Sequence, residues 1–230
     1  MNRILYALVG ADHSRPFSPH VWKIALSLAH KGLPYETQSV GFTEIPKLEN
    51  GATTTVPLLR DGDTLVKDSF DIALYLERTY ADRPSLFGGE GGEAMARFVE
   101  SWSQTTLHPA LMRVILLDIY HRLEPVDQAY FRTSREARLG TTLEAVVEKG
   151  AAVELAAFAG KLEPLRATLK RQPFIGGDKP LFADYIVFGP LQWARITSKA
   201  EILQPGDPVS DWFDRCLDLH EGIGRSVTAA

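Results

Sequence analysis

A change of grammar near residue 82 constrains this chain more than any other feature. Up to that point strand and helix signals alternate; beyond it the strand signals vanish. Residues 4–9 form an apolar run of strand length, and residues 20–31 an amphipathic stretch opened by Ser18-Pro19 and stopped by Gly32. Serine at the cap, proline at the first helical position and glycine just past the end are the local signals of a helix. Residues 35–40 read as a second strand and residues 41–55 as a polar, irregular stretch. Residues 56–60 and 64–67 flank a turn at 61–63 and read as a β-hairpin. Residues 69–80 have helical spacing, with Phe70, Ala73, Leu74 and Tyr80 available to one face. This order mixes parallel and antiparallel connections, so it predicts a small mixed α/β sheet covered by helices.

After a linker over residues 82–92, the pattern predicts helices over 93–123 (kinked near Pro109), 127–138, 143–172, 184–197 and 209–219. The fold class is therefore α/β followed by all-α, with domains at 1–82 and 93–230. A chain of 230 residues, 45% hydrophobic and 23% charged, can bury a real core in each half. A net charge of −4 with no basic cluster argues against a nucleic-acid partner. No apolar run approaches the roughly 20 residues of a membrane span, and the N-terminal one is too short for a signal peptide. A cytoplasmic protein is the default expectation. The single cysteine, Cys216, excludes an internal disulfide and a cysteine-based metal site; in a late helix it reads as a packing residue. No His, Asp or Glu arrangement has metal-ligand spacing, so no metal is expected.

Three local features carry chemistry. Ser18-Pro19 aims a hydroxyl and unpaired N–H groups at one point beside the positive end of a helix dipole, where an anion such as a thiolate is stabilised. Val56-Pro57 stands at the start of a strand; a cis bond there would turn the Val56 N–H and C=O outward to pair with a peptide, while a plain strand-initiating proline is the alternative. Asp68-Ser69 begins a helix, with Ser69 as the expected cap facing a carboxylate and Asp68 beside it for an ammonium. A thiolate, a peptide backbone and an α-amino acid terminus occur together in glutathione.

With these motifs in place, the chain resembles the cytosolic glutathione transferases over essentially its whole length. Ser18-Pro19, Val56-Pro57 and Asp68-Ser69 match that family's catalytic position, cis-proline and γ-glutamyl motif. Residues 174–185 look like its late G-G-D-x-P-x-x-A-D segment, with Leu181 where a capping hydroxyl normally stands and only Asp184 in its place. Residues 18–22, 41–43, 65–69, 80–87 and 211–222 are similar to the bacterial β-etherase and fungal etherase-like subgroup.

The resemblance implies a thioredoxin-like glutathione-binding domain over 1–82, and over 93–230 a helical bundle carrying the electrophile pocket. It also implies glutathione as the cofactor, a homodimer, and attack of the thiolate on an aromatic electrophile. In the etherase case the attacked carbon bears an aryloxy group beside a ketone, and a phenolate leaves. Ser18 holds and ionises the sulfur; Ser14 and Tyr6 are the competing candidates. Val56, Pro57, Asp68 and Ser69 bind glutathione. Lys47 is available to its glycyl carboxylate, or is a solvated surface lysine, and Thr54 or Thr55 to its backbone. Trp102, His108 and Tyr120 are the expected second-substrate contacts, with His121 and Trp193 also in the aromatic supply. A non-catalytic carrier of hydrophobic aromatic ligands and a glutathione-dependent isomerase are the alternative functions.

Overall fold

The structure is a computed structural model that describes residues 3–230. Its first strand, β1 (Arg3–Leu8), is buried at every position and forms the middle of a four-stranded sheet. β2 (Glu36–Val40) pairs with it in parallel, and β3 (Leu58–Asp61) and β4 (Thr64–Lys67) follow antiparallel, in the order β2-β1-β3-β4. The register sets Leu5 opposite Thr37 and Leu59, and Leu59 opposite Val66. A strand covered on both faces has no polar side to present, which is why β1 reads as a continuous apolar run.

α1 (Pro19–His30) connects β1 to β2 and buries Ile24, Leu26 and Leu28 completely. The stretch after β2 holds one irregular 3-10 segment, Ile45–Asn50. α2 (Ser69–Thr79) departs from expectation by one residue at its cap. Asp68, not Ser69, caps it: one carboxylate oxygen accepts the Phe70 N–H at 2.7 Å and the Asp71 N–H at 3.2 Å, with Asp68 at φ 67°. Aspartate tolerates this left-handed backbone better than most residues, because its short side chain can bond locally. Ser69 is thereby released from capping.

The second half comprises α3 (Glu90–Trp102), α4 (His108–Arg122), α5 (Pro125–Leu139), α6 (Leu143–Lys161), α7 (Glu163–Leu169), α8 (Phe182–Thr197) and α9 (Pro208–Gly222). Two differences from the sequence reading have local causes. The single helix expected over 93–123 starts earlier, at Glu90, and is interrupted by a π turn over Ser103–Leu107. Pro109 offers no N–H to the preceding turn, and the His108 N–H reaches back to Ser103 instead. The helix expected over 143–172 breaks at Leu162 (φ −88°, ψ 0°), just before Pro164, and ends at Leu169.

α8 is buried over nearly its whole length and is the axis of the helical half. Its buried Asp184 accepts the N–H groups of Ile175 (2.7 Å), Gly176 (2.9 Å) and Leu181 (3.0 Å) and the Trp212 Nε1–H (2.9 Å). The missing hydroxyl at Leu181 is covered by a backbone bond, the Asp184 N–H donating to the Leu181 carbonyl at 2.9 Å. Gly189 lets α8 touch the start of α1: a Cβ there would lie 2.3 Å from the Pro19 carbonyl oxygen. Trp22 meets Phe188 edge-on at 6.2 Å beside this contact. The buried Lys23 ammonium reaches Glu100 of α3 at 2.9 Å. The helical half therefore holds α1 by its first two turns, where Ser18 sits.

Candidate active site

Ser18 lies at the wall of a cavity of about 380 Å³, at the small end of ligand sites. The sheet half contributes Leu8, Phe17, Ser18, Pro19, His20 and the 42–56 stretch. The helical half contributes His108, Met112 and Ile119 of α4, Tyr130, Phe131, Arg135 and Arg138 of α5, and Trp193 of α8.

Ser18 is only 4% exposed and sits in extended backbone (φ −61°, ψ 124°). Its Oγ accepts the Val21 N–H at a long 3.4 Å, and its own O–H donates to no described residue. The His20 N–H also has no acceptor among the described residues. An O–H and an N–H at the positive end of a twelve-residue helix lower the pKa of a thiol placed against them. The two competing hydroxyls are engaged elsewhere. Ser14 is exposed, donates to Asp12 Oδ1 at 2.6 Å and does not line the cavity. Tyr6 donates to Glu49, and burial together with that carboxylate holds its phenol above the usual range.

Val56-Pro57 is cis. Val56 lines the cavity, and neither its N–H nor its C=O bonds to a described residue. Thr53 braces the approach, its hydroxyl donating to the Thr55 carbonyl at 2.7 Å and accepting the Thr55 N–H at 3.1 Å. Thr54 and Thr55 line the cavity with Val56, and Pro57 is buried behind them. Asp68 and Ser69 stand outside the cavity lining at the start of α2. Among the described residues the N–H and O–H of Ser69 have no acceptors, and the second oxygen of Asp68 has no donor. Asp68 is near enough to Lys23 of α1 for their charges to interact. Lys47 is exposed and also lies outside the cavity lining.

On the helical side the structure separates the expected aromatics. His108 lines the cavity with its ring stacked on His20, 5.0 Å between centroids and 14° between planes, and Trp193 lies 6.1 Å away. Burial, reinforced by the Lys23 charge, pulls the His108 pKa down to about 3, and His20 falls well below its usual value for the same reasons plus His108 itself. Both imidazoles are neutral at physiological pH. Trp102 and Tyr120 do not reach the cavity. Trp102 packs on the core at the end of α3, and Tyr120 stacks under the Arg132 guanidinium at 4.6 Å; Ile119 takes the lining position next to it. His121 faces a different depression with Arg122.

Sequence reasoning missed Phe42, Tyr130, Phe131, Arg135 and Arg138. The last three recur at i, i+4 and i+7, a helix-face spacing that could have flagged them. Asp127 assembles this wall. It is buried without a cation and accepts the N–H groups of Phe42 (2.9 Å) and Thr43 (2.8 Å) and the Thr43 hydroxyl (2.8 Å). Gly41 permits the approach, because a Cβ there would lie 2.3 Å from the Asp127 carboxylate.

The profile described as "Glutathione S-transferase, N-terminal domain" matches residues 13–84, and that described as "Glutathione S-transferase, C-terminal domain" matches residues 94–219. The chain belongs to the glutathione S-transferase family. The glutathione S-transferase-like protein ustS of Aspergillus flavus is 25% identical over 211 residues, covering 79% of this chain and 75% of that protein. The crystal structure of glutathione transferase GSTFuA3 from Phanerochaete chrysosporium superposes with a TM-score of 0.76 at 25% identity, over 100% of this chain and 98% of that one. The glutathione S-transferase CsGST63524 of Ceriporiopsis subvermispora, solved in complex with glutathione, gives 0.75 at 25% identity, over 95% and 96%. In this family member the residues present fit glutathione's chemistry: a free hydroxyl at a helix start, a main-chain donor and acceptor without partners, and a second helix start with a free hydroxyl.

Proposed function

We propose that this family member uses glutathione to cleave or substitute aromatic electrophiles, with β-aryl ether cleavage of the etherase type as the leading reaction. The observation that carries this reading is the Ser18 hydroxyl, buried at the α1 N-terminus, lining an aromatic cavity and donating to no group among the described residues. Glutathione, the co-substrate, supplies the sulfur nucleophile. Ser18 donates a hydrogen bond from its hydroxyl to that sulfur, and the α1 N-terminus with the His20 N–H favours the ionised form. Val56 pairs with the cysteinyl backbone as an added strand would. Ser69 offers its N–H and O–H to the γ-glutamyl carboxylate and Asp68 its free oxygen to the ammonium, while exposed Lys47 is the loop's cation for the glycyl end. The neutral rings of His108 and Trp193 hold the aryl group.

The domains of this reading are 1–82 and 93–230, although α3 already starts at Glu90, and a homodimer is part of the same reading. Exposed apolar side chains, Leu65 on β4 and Met95 (54% exposed) and Phe98 (69% exposed) on α3, support it. Among the described residues no helix is long and apolar enough to cross a membrane.

The deciding experiment supplies glutathione and a fluorogenic α-keto β-aryl ether and follows phenol release and free thiol together. Release with equal thiol loss is the expected outcome. Tight aromatic binding without turnover would replace the reading by a carrier, and conversion of an unsaturated acid without thiol loss by an isomerase. Ser18→Ala removes one charge-assisted hydrogen bond, about 1.5–3 kcal/mol. The thiol pKa of bound glutathione, read by ultraviolet thiolate absorbance, should rise by about 1–2 units, and kcat/KM at pH 6.5 should fall about 10–100-fold. An unchanged pKa sinks the role of Ser18.

A further inference from the structure

Two guanidinium groups face the cavity without an acidic partner. Arg135 is half-buried, its guanidinium 4.7 Å from the Phe131 ring centroid and 5.2 Å from that of Phe42. Its Nη1 donates to Ser134 Oγ at 3.0 Å, the Tyr130 phenol lies close by, and its buried Nε has no partner among the described residues. Arg138, one turn on, is exposed and lines the same cavity. Neither forms an ion pair among the described residues. Arg132 of the same helix, facing away, meets Glu136 at 2.9 Å and Glu144 at 2.8 Å. The cation on the outer face is thus neutralised and the pair on the cavity face is not, in a chain whose net charge is −4. Burial, then the Arg138 charge, disfavours the charged form of Arg135, and the neighbouring Tyr130 phenol offsets only part of this. Partly desolvated like charges side by side are unfavourable by themselves, and an anion between them removes the penalty.

We propose that Arg135 and Arg138 form a carboxylate-binding subsite that selects an acidic aromatic second substrate. This rests on the transferase reading above and specifies its substrate class. The planar guanidinium fork matches a carboxylate bidentately, and stacking on Phe42 and Phe131 fixes the plane of Arg135. The aryl body then lies along Tyr130 and Phe131 toward His108, Trp193 and Ser18. The wall belongs to the helical half, and the glutathione-directed groups Val56 and Ser69 belong to the sheet half.

The test uses the whole protein, glutathione, and two probes, 4-chloro-3-nitrobenzoate and 4-chloro-3-nitrobenzamide, each kcat/KM divided by that probe's uncatalysed rate with glutathione because the amide activates the ring more strongly. In both reactions a carbon–sulfur bond forms as chloride leaves the ring carbon with its bonding pair, and the thiol proton passes to solvent. The expected result is a kcat/KM ratio favouring the acid by about tenfold or more, one charge-assisted contact being worth that much. Arg138→Gln should collapse the ratio through the KM of the acid, Arg138→Lys should restore part of it, and rising salt should erode it. An acid-to-amide ratio near one in the wild type, or one that Arg138→Gln leaves intact, overturns the proposal. So does a rise in the KM for glutathione shared by both probes, which would give the cations to the glycyl carboxylate. If neither probe is turned over, the transferase reading fails separately. Calorimetric titration with 3-nitrobenzoate and 3-nitrobenzamide still decides the subsite: tighter, Arg138-dependent binding of the acid supports it, and equal binding refutes it.

Discussion

Replacing Gly189 by alanine pushes a methyl group into the carbonyl of Pro19, one residue from Ser18. The added Cβ would stand 2.3 Å from that oxygen, whereas ordinary contact begins at 3.4 Å, so α8 and the start of α1 must part by about 1 Å. Alanine in a helix interior is worth about 1 kcal/mol over glycine, and overpacking at a tight contact costs about 1–3 kcal/mol. The net expectation is a loss of about 0–2 kcal/mol, at most about 8 °C in Tm for a chain of this size. Function should suffer more than stability, because a displacement of about 1 Å at a reacting centre can cost about 100-fold in rate. Thermal unfolding and glutathione turnover, measured on the same sample, read the two effects. Gly160→Ala is the control: its Cβ meets nothing within 4 Å, so it should stabilise slightly and leave turnover alone. A Gly189→Ala protein that behaves like Gly160→Ala would refute the idea that α8 holds Ser18 in place.

Two further outcomes follow from buried polar groups. Asp184→Ala leaves one buried donor, Trp212 Nε1–H, and three partly buried N–H groups without their acceptor, at up to about 1–3 kcal/mol each before relaxation, so urea denaturation should show a loss of at least about 2 kcal/mol. Asp184→Asn keeps one acceptor oxygen and should lose clearly less; equal losses would contradict the hydrogen-bond account. Acid should weaken the fold before carboxylates titrate. Burial depresses His108 to about 3, and burial with the nearby His220 depresses His30 to about 4. Between pH 6.5 and those values the unfolded chain binds protons that the folded one refuses, so stability falls as pH falls. By pH 5.5 each histidine costs about 1.4 kcal/mol, about 3 kcal/mol together. A urea midpoint that is the same at pH 7.5 and 5.5 would contradict this.

The sheet half was legible because its signals are local. Ser18-Pro19, Gly32 and the turn at Gly62 each mark an element edge without reference to the rest of the chain. The α2 cap shifted by one because Asp68 and Ser69 are both good caps, and only the positive φ of Asp68 decides between them. Pro109 announced a kink but not its form, since a π turn depends on which carbonyl the displaced N–H finds. Ser18, Val56 and His108 meet in one cavity because each is fixed by its own element end. Tyr120 illustrates the opposite case. α4 is apolar on several faces, and the phase that turns Ile119 inward and Tyr120 toward Arg132 comes from α5. Phe42 was invisible for a related reason: it meets Arg135 through Asp127, which catches Phe42 and Thr43 from some 85 positions away in sequence.

That catch by Asp127 also joins the two walls of the cavity. The loop carrying Phe42 borders the sheet-side wall, the helix carrying Phe131 and Arg135 borders the other, and one carboxylate bonds the first to the second. Glutathione and a second substrate settling against these walls would be coupled through this joint, and such coupling is reciprocal: each ligand changes the affinity of the other by the same factor. An Asp127→Ala chain would bind each ligand singly with modest loss while losing the coupling between them.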